Sequence, residues 1–304
     1  MGAPRNPPLL VISGPTASGK TAAALELAHR TPIEVISADS RQVFRGMDVG
    51  TSKPTAEQRR FVRHYGLDVV TPDQGFSAHA FVALARATID DIRARGATPV
   101  LVGGTGFYIK ALLEGAALGG VRPNADLRAE LQELHAAVGV QALVRRLRAL
   151  DPDRLAELDA KNPRRLMRAI EIAESDERQA DSSPSLVAKV WGIWVAPSIL
   201  NELIEQRVEH MYATGLLPET QRLLDAGYGL DLPSMSGIGY AEAAAHLAGT
   251  LALSEARDRT TVRTRQYARR QRTWLRHQLC VDWKPPEDIV DAVLAQVCAH
   301  PPSE

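Results

Sequence analysis

Residues 14–21 read GPTASGKT, a full match to the pattern G-x-x-x-x-G-K-[ST], and no other stretch so restricts what this chain can fold into. Gly14, Pro15, Thr16, Ala17, Ser18, Gly19, Lys20 and Thr21 follow a short aliphatic run at 9–13, LLVIS, and open a helical stretch at 20–30. A strand, a glycine-rich turn and a helix in that order wrap backbone N–H groups around one hollow, with the positive end of the helix dipole behind them. Lys20 adds a mobile cation, and the Thr21 hydroxyl is suited to hold a magnesium ion. The hollow takes a polyphosphate without specifying which. A nucleoside triphosphate is the usual guest, but any diphosphate ester presents the same charged oxygens.

The surrounding pattern predicts an α/β fold, a P-loop-containing parallel sheet flanked by helices. Strands are expected at 9–13, 33–38, 99–102 and 189–196, and helices at 20–30, 55–64 and 77–95. Thr55 and Gln58 are spaced as a capping box for the second of these helices. Between 123 and 175 nothing reads as a strand. Leu127, Leu131 and Leu134, then Leu143, Leu147 and Leu150, then Leu166, Ile170 and Ala173 recur at helical spacing. The domain reading is a discontinuous catalytic core, 8–116 and 187–300, carrying an all-helical insertion domain at 117–186. Residues 176–185 form a polar linker, and further helices are expected at 198–214, 219–226, 239–248 and 254–278.

Composition removes several function classes. The apolar runs are far shorter than the roughly 20 residues of a membrane span, so no membrane partner is expected. The first eight residues carry one arginine and three prolines, with no apolar segment of the kind found in a signal peptide. Two cysteines, Cys280 and Cys298, make neither a disulfide framework nor a zinc site. Reduced thiols and a cytoplasmic location follow from this, and the chain is read as a monomer. Net charge is zero, which argues against nucleic-acid binding until its distribution is considered.

In a doubly wound sheet, ligands bind beyond the C-terminal strand ends. The 33–38 run ends in Asp39-Ser40, and the 99–102 run ends in Gly103-Gly104-Thr105-Gly106. Parallel strands would bring Asp39 and Thr105 beside the bound phosphates. A carboxylate there has two jobs open to it, ligating magnesium or taking a proton from a nucleophile; the plain alternative is a helix N-cap.

Arginines cluster late: Arg257, Arg259, Arg263, Arg265, Arg269, Arg270, Arg272 and Arg276 share one helical stretch with only Glu255 and Asp258 as acids. Positions 265, 269, 272 and 276 fall on one face, suited to a polyanion, with Tyr267 and Trp274 as core anchors opposite. Smaller clusters at Arg145, Arg146 and Arg148 and at Arg164, Arg165 and Arg168 lie in the helical insertion. Three readings stand level on the residues alone: a transferase acting on RNA, a P-loop kinase of a small molecule or nucleotide, and a nucleotide-gated RNA-binding protein.

A resemblance separates them. GPTASGKT (14–21), ADSRQVFRGMDVGTSKP (38–54), LVGGTGFYIKALLEG (101–115), NPRRLMRAIEI (162–172), GIGYAE (237–242) and TRQYARRQRTWLR (264–276) are similar, in order and spacing, to the tRNA dimethylallyltransferases. The resemblance implies transfer of a dimethylallyl group from dimethylallyl diphosphate to N6 of the adenine just 3′ of the anticodon, with tRNA anticodon stem-loop and dimethylallyl diphosphate as partners and Mg2+ as cofactor. It further implies that residues 14–21 and Arg207 hold the diphosphate, with Lys20 acting in catalysis and Thr21 on the metal. Asp39 is then the general base, and Thr105 guards the channel where the substrates meet. Asp39, Ser40, Arg41, Gln42, Thr105, Arg128, Arg164, Arg165, Leu166, Met167, Arg168, Gly237, Ile238, Gly239 and Tyr240 match tRNA-contacting positions. The chain departs from the family at Leu203 and Ala241, where basic residues are common, and in the stretch after Ala173. The target base is expected to flip out of its loop into a channel between core and insertion.

Overall fold

The computed structural model describes residues 7–115, 124–175 and 185–299. The first half of the chain runs β1 (Leu9–Ser13), α1 (Lys20–Arg30), β2 (Ile33–Ser37), α2 (Ala56–Phe61), β3 (His64–Tyr65), α3 (Ala78–Ala94), β4 (Thr98–Gly103) and α4 (Gly106–Glu114). Four helices follow: α5 (Ala125–Val138), α6 (Val140–Leu150), α7 (Pro152–Glu157) and α8 (Pro163–Glu174). The chain then runs through β5 (Ala188–Ile193), α9 (Pro197–Thr214), α10 (Leu216–Asp225), α11 (Tyr240–Leu247), α12 (Leu253–Gln278), β6 (Asp282–Lys284) and α13 (Pro286–Ala299).

The uninterrupted aliphatic runs become interior strands because helices cover both faces of a parallel sheet, leaving no face to alternate toward water. Every residue of β1 and β2 is buried. All neighbouring strands pair in parallel, in the order β3-β2-β4-β1-β5-β6. β1 therefore sits between β4 and β5, and the loops after β1, β2 and β4 leave the same edge. Each expected strand forms, and the fold is the predicted one.

Local chemistry sets the helix starts. The Thr55–Gln58 capping box is present in both directions, at 3.2 and 3.0 Å, and Ser77 accepts the Ala80 N–H to open α3. The helix expected over 55–64 is shorter, however. It ends at Phe61, and His64-Tyr65 turn into β3 beside Val35 and Ile36. Two elements that no expectation covered follow: the strand β6 completes the sheet edge, and the helix α13 packs on α1. The expected linker at 176–185 lies outside the described residues, apart from Ser185.

By contact density the chain forms two compact units, 1–113 with 186–304, and 114–185. The described residues of the second unit form helices and their connecting turns, with no strand among them. Leu131, Leu143, Val144, Leu147, Leu166, Ala169 and Ile170 make its core, and Asn124, Asp151 and Asn162 cap α5, α7 and α8. Among the described residues no helix is long and apolar enough to cross a membrane, and both cysteines are exposed free thiols.

Candidate active site

The loop after β1 carries a backbone that few sequences accept. Ala17 sits in the left-handed region at φ 64°, with Gly14 at 149° and Gly19 at 91°. These turns aim successive N–H groups inward, and α1 starts at Gly19 with no side-chain cap, leaving its first amides for a ligand. Lys20 Nζ donates to the carbonyls of Gly14 (3.0 Å) and Pro15 (2.7 Å), using two of its three protons. Burial lowers its pKa to about 8, with the Asp39 carboxylate opposing that shift and the Arg207 cation adding to it. Ser18 Oγ is buried in this loop with no hydrogen-bond partner among the described residues.

This loop forms one wall of a cavity of about 740 Å³ contained in the first unit. Residues 16–22, 39–42 and 236–238 line it, together with Arg207 and Tyr240. The expected phosphate loop, Asp39 run, arginine and part of the glycine turn are therefore brought together. Asp39 Oδ1 accepts the amides of Arg41 (2.8 Å) and Gln42 (3.4 Å), so the carboxylate holds a turn; it is not a helix N-cap, since the next helix begins at Ala56. Its Oδ2 takes no hydrogen bond from a described residue. Thr105 stands next door through β4: its Oγ1 accepts the Ser40 N–H at 3.0 Å, and its own N–H donates to Ala38 O. Burial holds the Arg207 guanidinium below its usual value, with Asp39 pulling the other way.

The 46–54 run has a structural explanation. Lys53 Nζ is wholly covered and donates to Phe44 O, Asp48 and Asp68 at 2.5–2.7 Å. From the other side Glu219, 2% exposed, accepts the N–H groups of Asp48, Val49 and Gly50 and the Tyr240 hydroxyl. A Cβ on Gly50 would lie 2.4 Å from the Tyr240 ring, so only glycine fits. The Tyr240 phenol, expected to contact tRNA, is thus committed to Glu219 and 1% exposed.

Three further expectations change. Leu166 is wholly buried in the helical unit, so its side chain cannot reach RNA. Arg164 and Arg165 are exposed, while Arg128 and Arg168 share the buried Glu171 carboxylate at 2.6 and 3.1 Å; Met167 packs against that unit's core. On α12 the cavity face is Arg263, Thr264, Tyr267, Arg270 and Gln271, a different stripe from 265, 269, 272 and 276. Arg265 instead pairs with Glu205, and Tyr267, expected as a core anchor, lines the cavity. Gln271 was not anticipated at all. It is 7% exposed, its Oε1 accepts the Thr16 N–H at 2.8 Å, and its Nε2 donates to Gly104 O at 2.9 Å.

Comparison with known proteins agrees with this geometry. The family described as IPP transferase matches residues 42–278. A tRNA dimethylallyltransferase of Roseiflexus sp. (strain RS-1) is 45% identical over 88% of this chain and 90% of its own. One from Anaeromyxobacter sp. (strain Fw109-5) is 46% identical over 93% and 96%. Among solved structures, the full-length tRNA isopentenylpyrophosphate transferase of Bacillus halodurans aligns with a TM-score of 0.71 at 36% identity, over 97% of this chain and 98% of that one. With agreement of this extent in sequence and in fold, the chain belongs to the IPP transferase family, that of the tRNA dimethylallyltransferases.

Proposed function

We propose that the cavity joins dimethylallyl diphosphate to the exocyclic N6 of the adenine just 3′ of the anticodon of a tRNA, with the residue roles as follows. The amides of 17–21, Lys20, Arg207 and the unpartnered Ser18 hydroxyl hold the diphosphate and take up the charge it gains on leaving. The N6 lone pair is delocalised into the adenine ring, so attack depends on an allylic carbon whose cation is resonance-stabilised. Asp39, through Oδ2, removes the proton from nitrogen; a positioned base contributes roughly 10²–10⁴-fold. The observation that carries this reading is the meeting of an uncapped phosphate loop and a carboxylate in one cavity of about 740 Å³, large enough for both substrates' reacting ends.

The Thr21 hydroxyl lines the same cavity and offers a hard oxygen donor, and among the described residues no cluster of three or more His, Cys, Asp or Glu forms. That donor fits Mg2+, which keeps waters and substrate phosphate oxygens in its shell. Bound there, the ion would supply Lewis-acid stabilisation of the departing diphosphate. The helical unit, with Arg164 and Arg165 exposed, supplies tRNA-backbone contacts in this reading. The test is incubation with unmodified tRNA and labelled dimethylallyl diphosphate, without ATP. Label on adenine is expected; ATP consumption without labelled tRNA would instead support the kinase.

A further inference from the structure

A P-loop is the common cradle of nucleoside triphosphates, and the reading above asks this one to hold a diphosphate ester. The geometry of Gln271 bears on that choice. The side-chain amide reaches from α12 into the mouth of the loop, where its carbonyl oxygen accepts the Thr16 N–H at 2.8 Å. Thr16 is the first loop residue lining the cavity, so the amide one position ahead of the inward run at 17–21 is already in use. The group that uses it is itself an acceptor. A phosphate oxygen arriving beside Thr16 would therefore find no donor and would meet the lone pairs of Oε1.

The amide cannot turn over to present its NH₂ instead. Nε2 donates to Gly104 O at 2.9 Å, so a flip would set carbonyl against carbonyl there and N–H against N–H at Thr16. Glycine at 104 is what lets the amide come this close: a Cβ there would lie 2.3 Å from Nε2. Gln271 is 7% exposed, held between two strand-end loops of the sheet edge.

We propose that Gln271 sets the phosphate count of the cradle, admitting a diphosphate and excluding a third phosphoryl group. This rests on the cavity being the donor site. The residue acts by two means, capturing the Thr16 amide and directing an acceptor oxygen at the space beyond it. The chain then selects its prenyl diphosphate against the abundant nucleoside triphosphates without needing to recognise the prenyl tail.

The experiment is calorimetric binding of inorganic pyrophosphate and of inorganic tripolyphosphate to the full chain, wild type and variants, each with magnesium. Wild type is expected to prefer pyrophosphate by at least about tenfold, a preference of about 1.4 kcal/mol. Gln271→Ala frees the amide and removes the acceptor, and should bring the two affinities to within about threefold. Gln271→Leu fills a similar volume with neither acceptor nor donor, so it should narrow the gap as Gln271→Ala does, guarding against an effect of the space that alanine opens. Equal affinities in the wild type, or the same ratio in all three proteins, would overturn the proposal. The labelled-transfer assay on wild type reports separately on the donor-site reading, since it does not depend on this ratio.

Discussion

Oδ1 of Asp39 holds a turn and Oδ2 takes no hydrogen bond from a described residue, so the proposed role as base can be separated from the structural one. Oδ1 holds the 39–42 turn through the Arg41 and Gln42 amides, which an asparagine carbonyl would also accept. Asp39→Asn should therefore keep the turn and melt with the wild type, while kcat falls by roughly 10²–10⁴ and KM for the stem-loop stays within about threefold. Retention of kcat would remove Asp39 as the base. Lys20 gives a pH signature. Burial lowers its pKa from 10.5 to about 8, so the folded, ligand-free protein binds fewer protons than the unfolded chain between those values. Its stability contribution therefore rises with pH across that window. If Lys20 holds the diphosphate as proposed, binding needs the charged ammonium, so affinity should be flat below about pH 8 and weaken above it, approaching tenfold per unit. Lys20→Arg, charged throughout, should bind more weakly overall and without that decline, as titrations from pH 7 to 9.5 would register. Asp39 and Lys20 were legible in the sequence because a motif and a strand end locate them. Tyr267 and Gln271 were not, because four arginines on another stripe of α12 form the more conspicuous pattern, and only packing decides which stripe faces the cavity.

At the scale of elements, the loop between β2 and α2 is held by buried carboxylate and ammonium groups as well as by the core contacts of Val43, Phe44 and Met47. Glu219 on α10 takes three backbone N–H groups and one phenol, and Lys53 closes the loop from within. Glu219→Ala would leave those donors buried without acceptors, each worth about 1–3 kcal/mol, and relaxation of the loop toward water recovers part of the total. A loss of about 2–4 kcal/mol in denaturant unfolding is expected, together with a rise in KM, since the loop lines the cavity. An unfolding midpoint unchanged from wild type would mean the loop is held by something else. None of this was visible as a motif: GMDVGTSKP at 46–54 read as a family signature, and its meaning lies in partners about 170 residues away. Elements themselves were read well where periodicity ran long, as in α1 and α12. The strands β3 and β6 span two and three residues, too few to carry a pattern, and exist because a neighbouring strand edge recruits them.

For the whole molecule, the arrangement of the chain predicts a division of labour that can be cut. Leu186 N donates to Leu113 O at 2.9 Å, so the two ends of the excursion through the helical unit meet at one backbone hydrogen bond. Each unit has its own hydrophobic cluster: β1, β2, β4 and β5 with their helices in one, and the leucines of α5, α6 and α8 in the other. Residues lining the cavity all belong to the first. Replacing 114–185 by a short Gly-Ser linker should then leave a folded protein, because a loop closed across adjacent ends costs little entropy and no described core residue of the first unit is removed. The shortened chain should bind dimethylallyl diphosphate within about threefold of wild type by calorimetry. If the helical unit supplies the tRNA-backbone contacts proposed for it, transfer to tRNA should fall at least about a hundredfold, and the salt dependence of the remaining RNA binding should flatten, as expected when phosphate contacts are lost. Transfer at the wild-type rate would place those contacts on the first unit, where Arg41, Arg263 and Arg270 line the cavity. Loss of diphosphate binding in a chain that still unfolds cooperatively would show instead that the cradle depends on the helical unit for its shape.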